Sequence, residues 1–409
     1  MSDPFKGTQV NKLEGGLGRK AANKDSVALL VIASSVAASS LAVNVAKKVL
    51  DLTAAEGLGI DASYDDTNDV LAHHHISEVF RINPDADLYV MLSNGTSRED
   101  NILEAVRTFP DIKIIAFAAT IIANPTAIAT EVASFQTAIV AELLTDKILI
   151  DTCLIAGDVI LPTTAPADYP SLRTLDSENV SVIIAQDPKI ASIKSAYANY
   201  AAIGTALGAL TRRGVNENLG SVDINNKPTY AKGLDYFSLT DVGRELWMNA
   251  SLQSGKTIAS LTSAERSSLN EMGYNFVANY AGYNGFYFSN SLTATAATSD
   301  YAYIENNRVW NKAARGVRNA LLPRVKSNIL KDPTTGFIKA TEAKELEVLA
   351  EKPLREMVTA GEISGFDVYV NPEQALISET PLKVTGEIVY NGIVFAFDFD
   401  LGGAQSISN

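Results

Sequence analysis

In the first half of the chain the apolar positions fall in short unbroken runs, the pattern of strands buried on both faces rather than half-exposed ones. Val27–Ala33, Leu88–Leu92, Ile112–Ala118, Lys147–Ala156 and Val180–Gln186 read as such strands. Between them lie stretches with helical patterning: an alanine-rich segment running on to Leu50 with Lys47 and Lys48 at its end, His75–Phe80, Arg98–Phe109, Ile128–Leu144 and Tyr197–Leu210. Strand, helix and strand in succession predict parallel pairs joined by crossover helices. Residues 25–245 therefore read as an α/β domain with a largely parallel sheet.

The pattern changes on either side of that domain. Residues 1–24 are polar and glycine-rich (Gly7, Gly15, Gly16, Gly18), with too little apolar surface to fold alone, and read as a flexible arm. Residues 246–402 read as a second α/β module, followed by a short tail, 403–409. In order it offers a helix (Leu261–Met272), an aromatic strand region, a long helix (about Asn307–Leu330), a second helix and three strands. The last two, Lys383–Tyr390 and Ile393–Leu401, flank Asn391-Gly392, the strongest short-range hairpin signal. So apolar a hairpin has to be covered or paired. It is either an ordinary sheet pair inside the module or a site of strand exchange between copies, in which the arm of one chain adds to the terminal sheet of another. The pairing positions are then Val384, Ile388, Tyr390, Val394, Phe395, Phe397 and Phe399, with Val10 and Leu13 on the arm.

Charge and candidate chemistry narrow the function more than they define it. A net charge of -13 leaves little room for the clustered positive charge that general nucleic-acid binding needs. Cys153 is the single cysteine, so no internal disulfide is expected and a reducing cytoplasm is the default compartment. Met1–Lys24 lacks the apolar core of a signal peptide, and apolar windows such as Val27–Ala38 are too short to span a bilayer, so no membrane insertion is expected. The run His73-His74-His75 has no further Cys or His to complete a metal site and reads as solvent-facing or partly packed. Gly15-Gly16-Leu17-Gly18-Arg19-Lys20 follows no strand and lacks phosphate-loop spacing. Asp65-Asp66 lies in a polar loop, and Asp398 and Asp400 alternate with Phe395, Phe397 and Phe399, placing the carboxylates on the outer face of a strand. No catalytic, metal or cofactor site is expected.

One helix reverses the overall sign of charge. Arg308, Lys312 and Arg315 stack on one side at steps of four and three, with Arg318, Arg324 and Lys326 extending the positive character. Val309, Ala313, Val317, Leu321, Val325 and Ile329 form the apolar side. Such a face is either simply solvated or meets an acidic surface.

Several segments then carry a family resemblance, by their order and spacing together. They are Leu261-Thr262-Ser263-Ala264-Glu265, Leu269-Asn270-Glu271-Met272-Gly273-Tyr274-Asn275, and Tyr301-Ala302-Tyr303-Ile304 leading to Arg308. Leu321-Leu322-Pro323, Pro353-Leu354-Arg355-Glu356-Met357 and Gly361-Glu362-Ile363 follow. Over about residues 258–402 the chain resembles the sheath proteins of contractile phage tails and related bacterial injection particles. It departs from them at Gly285-Phe286-Tyr287-Phe288-Ser289-Asn290, where the family usually has a tryptophan or glycine-arginine segment.

The resemblance implies a non-enzymatic subunit that stacks with itself in rings around an inner tail tube protein. Baseplate and terminator proteins would be its further partners, with assembly in the bacterial cytoplasm into a virion tail or contractile particle. It also implies that Arg308, Lys312, Arg315 and Arg318 face the tube. The alternative from the residues alone is an α/β enzyme binding a small ligand at a strand-end loop, although the loops here are poor in glycine and charge.

Overall fold

A computed structural model describes residues 24–119, 127–157, 164–222, 237–377 and 380–403. The arm positions Val10 and Leu13 and most of the tail 403–409 lie outside the described residues. The centre of the first domain is a six-stranded sheet made of β1 (Ala28–Ala33), β2 (Ala46–Val49), β3 (Leu88–Ser93), β4 (Ile114–Ala118), β5 (Thr152–Ala156) and β6 (Val180–Ile183), in the order β2-β3-β1-β4-β5-β6. All pairs are parallel except β2 with β3, and Leu30 sits in register with Val90 on one side and Ala116 on the other. Every position of β3, β4, β5 and β6 is buried, as the unbroken apolar runs require of strands covered on both faces.

The alanine-rich segment after β1 is not a helix. Val36, Val43 and Val45 are β-branched, and the Ser34 hydroxyl is hydrogen-bonded to Tyr64 OH at 2.7 Å, so the chain has better local bonds outside a helix. It crosses back through Asn44, at a φ of 62°, and enters β2 as an antiparallel edge strand. Lys47 and Lys48 are exposed there, and Lys48 pairs with Asp87 at 2.6 Å; lysines on an edge discourage further pairing.

Four helices follow the expected positions. After the short α1 (Leu52–Gly57) and α2 (Ala62–Asn68) come α3 (Ala72–Ile82) and α4 (Arg98–Thr108). The expected helix 128–144 is present as α5 (Ala127–Ala133), a π-helical segment Ser134–Val140 and α6 (Ala141–Thr145). Beyond the short α7 (Pro188–Ala191), α8 (Ile203–Arg212) packs on β1, β4 and β5 and against α3. The α3–α8 contact is close enough to need glycine: a Cβ on Gly204 would stand 2.3 Å from the His75 carbonyl oxygen, and one on Gly208 2.9 Å from Val79 Cα.

The histidine run sits at the start of α3. His75 is buried, and its Nδ1 accepts from Gly204 N at 3.2 Å, while burial holds it well below the ordinary histidine pKa, at about 3. Asp65, itself buried, caps the same turn by accepting from the backbone N–H of His73 at 2.9 Å and of His74 at 3.0 Å. Burial outweighs those bonds and pushes its pKa up to about 6. A raised carboxyl contributes stability that is fully present below its unfolded pKa of about 3.9 and lost as pH rises through the folded value. The stability advantage of the native protein over Asp65→Asn should therefore shrink by up to roughly 3 kcal/mol between pH 4 and pH 7. Urea midpoints of the two proteins at both pH values check this; a difference independent of pH would place the proton elsewhere.

The second half first builds onto the same core. Two short antiparallel pairs, β7 (Ala185–Gln186) with β8 (Ser251–Leu252) and β9 (Val277–Ala278) with β10 (Tyr287–Phe288), flank α9 (Ser263–Glu271). That helix opens on a capping box formed by Thr262 and Glu265. Leu252, Leu269, Tyr274, Phe288 and Ile304 share one apolar core with β1–β6. The division expected between residues 245 and 246 is thus no break in packing. The break comes at α10 (Ile304–Leu321), after which Val309, Ala313, Ala350, Leu354 and Ile363 form a smaller core of their own.

This smaller module contains α10, α11 (Ala340–Thr359), β11 (Ile363–Tyr369) and β12 (Thr385–Tyr390). α10 stops at Leu321 rather than at Leu330, because Pro323 has no N–H to continue it; Leu322–Arg324 make a single 3-10 turn and Val325 is extended. Gly316 lets α10 and α11 touch, since a Cβ there would lie 2.8 Å from Pro353 Cβ.

Candidate functional site

β11 and β12 pair antiparallel, with Phe366 opposite Ile388 and Tyr369 opposite Thr385. One face of this ribbon packs on α10 and α11 through Ile363, Val368, Val384, Ile388 and Tyr390. Burial, with the nearby Tyr301 and Asp300 charges, pushes the Tyr390 hydroxyl well above the ordinary tyrosine range. Among the described residues no other strand joins either edge of the ribbon.

The hairpin expected at Asn391-Gly392 does not form. Asn391 instead pins the end of β12 to the start of β11: its Nδ2 donates to Gly361 O at 2.7 Å and its Oδ1 accepts from Ser364 Oγ at 2.8 Å. Ile393–Leu401 then runs on without a ladder. Phe395 leans on Tyr303 with ring centroids 5.6 Å apart, but Phe397 is 90% and Phe399 79% exposed, and Val394 is exposed as well. The expected pairing positions thus divide in two. Val384, Ile388 and Tyr390 serve the module's own core, whereas Val394, Phe395, Phe397 and Phe399 remain uncovered. A run of exposed phenylalanines left in water is an aggregation hazard unless a partner covers it.

The basic row of α10 is not open to a partner along most of its length. Arg308 is completely buried and donates to Gly214 O at 3.0 Å, Leu210 O at 3.4 Å and Ser26 Oγ at 2.8 Å. Lys312 Nζ lies 2.7 Å from Asp25 and 2.6 Å from Glu362. Arg315 pairs with the fully buried Asp151 at 2.7 Å. Only Arg318, of the four, is exposed. The tube-facing role expected for Arg308, Lys312 and Arg315 is corrected on these contacts: acids distant in sequence turn the charged face inward.

Those acids are the residues that the pattern of the chain did not single out. Asp151 had a local signal, since a carboxylate at the head of the apolar strand β5 has to find a cation when buried. Asp25 and Glu362 had none. A second buried polar group also supports α10: Glu305 accepts from Asn218 Nδ2 at 2.9 Å and from Ser291 Oγ, and burial holds its carboxyl above the ordinary range.

The DUF2586 N-terminal domain model matches residues 5–292, and the DUF2586 C-terminal domain model matches residues 300–407. The chain belongs to the DUF2586 family. The boundary between the two matched domains falls just before α10, where the packing divides as well. No functionally curated protein sequence matches it.

Solved structures similar to this DUF2586 chain include chains of contractile particles and isolated sheath tail proteins. A chain of the anti-feeding prophage baseplate aligns with a TM-score of 0.63 at 14% identity, covering 99% of this chain and 100% of that one. A chain of the PVC sheath complex, an extracellular contractile injection system in its contracted state, aligns at 0.56 and 10% identity, covering 99% of each. The sheath tail protein of Desulfitobacterium hafniense aligns at 0.51 and 12% identity, over 94% of this chain and 100% of that one. Likeness at such identities is one of fold, and it extends over nearly the whole chain. The DUF2586 chain has the fold of contractile tail sheath proteins.

Proposed function

We propose that the protein is a structural, non-enzymatic subunit of a contractile tail sheath. It polymerises as stacked rings around an inner tail tube and contracts to drive the tube through a target envelope. The observation that carries this reading is the end-to-end match in fold to sheath proteins, over 99% of this chain and 99% of the PVC sheath-complex chain.

The uncovered segment of the second module suits that role. A two-stranded ribbon that no other described strand joins and a phenylalanine-bearing segment without a ladder are complementary parts, and strand addition between copies would join them through main-chain hydrogen bonds. Val394, Phe395, Phe397 and Phe399 of one copy, with Val10 and Leu13 on the arm, are the linking positions. Such links hold copies together while their bodies tilt and slide. Arg318, exposed on α10, is the member of the basic row that can meet a tube surface. Baseplate and terminator proteins would close the two ends of the cylinder, and assembly would take place in the bacterial cytoplasm.

Negative-stain electron microscopy of the full chain at high concentration, alone and co-expressed with the inner-tube protein of its particle, tests the proposal. Cylinders or stacked rings of uniform width are expected. Dispersed monomers under both conditions would overturn it.

A further inference from the structure

The ionic groups around α10 form one connected cluster at the seam between the two cores. Lys312 Nζ bridges Asp25 at 2.7 Å and Glu362 at 2.6 Å. Asp25 also meets Lys113 at 3.6 Å, and Arg315 holds Asp151 at 2.7 Å alongside. Asp25, Lys113, Lys312, Arg315 and Glu362 line a cleft of about 430 Å³ between α10, α11 and the first described residues of the domain. Among the described residues, Ile304 of α10 joins the first core and Val215 joins the second, and beside these apolar contacts the seam carries this cluster of charged ones.

The position of the two carboxylates in the chain gives the cluster its meaning. Asp25 lies directly after residues 1–24, and Ser26 beside it accepts from Arg308 at 2.8 Å. Glu362 lies directly before β11, the strand that carries the open ribbon. One lysine therefore touches the root of both chain-terminal segments, although 337 positions separate them (362 minus 25). Burial alone would raise Asp25 and lower Lys312, yet their mutual hydrogen bond and charge keep Asp25 below and Lys312 above the ordinary values. Both partners are ionised at neutral pH, and in a partly buried site the attraction is screened less than on an open surface.

We propose that Lys312 is the hub of an ionic clasp that ties the root of the N-terminal segment to the root of the C-terminal ribbon. The clasp fixes Asp25 and Glu362, at those two roots, relative to each other. A pull on one segment reaches the other through Asp25, Lys312 and Glu362 rather than through the apolar cores. Charged contacts suit this duty because they re-form after a displacement without leaving a torn apolar surface. The transmission of a pull rests on the strand-exchange reading above, whereas the clasp itself is a property of the single chain.

Amide hydrogen exchange on the full-length protein tests it, with Lys312→Met, Asp25→Asn and Glu362→Gln compared. A hub predicts cross-talk: Glu362→Gln should speed exchange by at least about threefold in residues 24–27, and Asp25→Asn should do the same in residues 361–366. Lys312→Met should speed both by about tenfold, with β4 unchanged. If each carboxylate variant alters only its own end, the clasp is overturned. Should Lys312→Met fail to fold, the two carboxylate variants still decide the matter, because each keeps the lysine and one partner. Particle assembly of the same variants separates the two readings. Cross-talk together with unaltered assembly supports the clasp and removes its mechanical role, while absent cross-talk overturns the clasp and leaves sheath assembly untouched.

Discussion

Arg308→Ala is expected to destabilise the protein by about 2–5 kcal/mol, the range for emptying the space of a fully buried large side chain and leaving its buried acceptors short of a donor. The side chain is wholly enclosed, and its guanidinium satisfies the Gly214 and Leu210 carbonyl oxygens and the Ser26 hydroxyl. Truncation removes three hydrogen bonds at once, leaves the Gly214 carbonyl oxygen short of a donor and opens a cavity between α8 and α10. Arg308→Lys should recover little of the loss, because an ammonium lacks the planar fork that reaches several acceptors at once. Arg318→Ala, three turns of the same basic row further along and exposed, should shift stability by no more than about 0.5 kcal/mol. Chemical denaturation midpoints of the three variants check the contrast. Equal effects at positions 308 and 318 would mean that the row is a solvated face after all.

Replacing Phe395, Phe397 and Phe399 together with aspartate should abolish self-assembly and leave the single chain folded. Phe397 and Phe399 are 90% and 79% exposed and Phe395 61%, so the isolated chain loses little buried apolar surface beyond the contact of Phe395 with Tyr303. Covered by a neighbouring copy, each phenylalanine would contribute roughly 1.5–3 kcal/mol, and three of them per junction exceed what thermal motion can replace. Sedimentation velocity reads the assembly and a urea titration the fold. A stability loss above about 1 kcal/mol would assign the segment to its own chain, as a strand that closes over Tyr303. Undiminished assembly would remove these residues from the contacts between copies.

The sequence by itself determined the first domain closely. Unbroken apolar runs left β1, β3, β4, β5 and β6 no alternative to burial on both faces, and the intervening helices placed those strands parallel. The same local logic placed α9, whose capping box lies in Thr262 and Glu265, whereas the helix expected over Asn307–Leu330 ran past Pro323, which ends α10. The order of short motifs in the second half also pointed to the sheath fold. In each case the deciding interactions lie within a few residues of one another, or follow from a periodicity that one segment shows alone.

Only the tertiary structure decided where the charges and the last strand go. The row Arg308, Lys312, Arg315 has one pattern whether it faces a tube or the chain's own acids, and the choice depended on Asp25, Asp151 and Glu362, none of which is near it in sequence. Asn391-Gly392 likewise signals a turn, but β12 was already satisfied by β11, so Asn391 became a clamp on Gly361 and the phenylalanine segment was left without a ladder. The alanine-rich segment after β1 went to an edge strand because β3 presented an open row of backbone groups beside it. Composition and spacing fix which groups need a partner; which partner they meet depends on distances that exist only once the chain has folded.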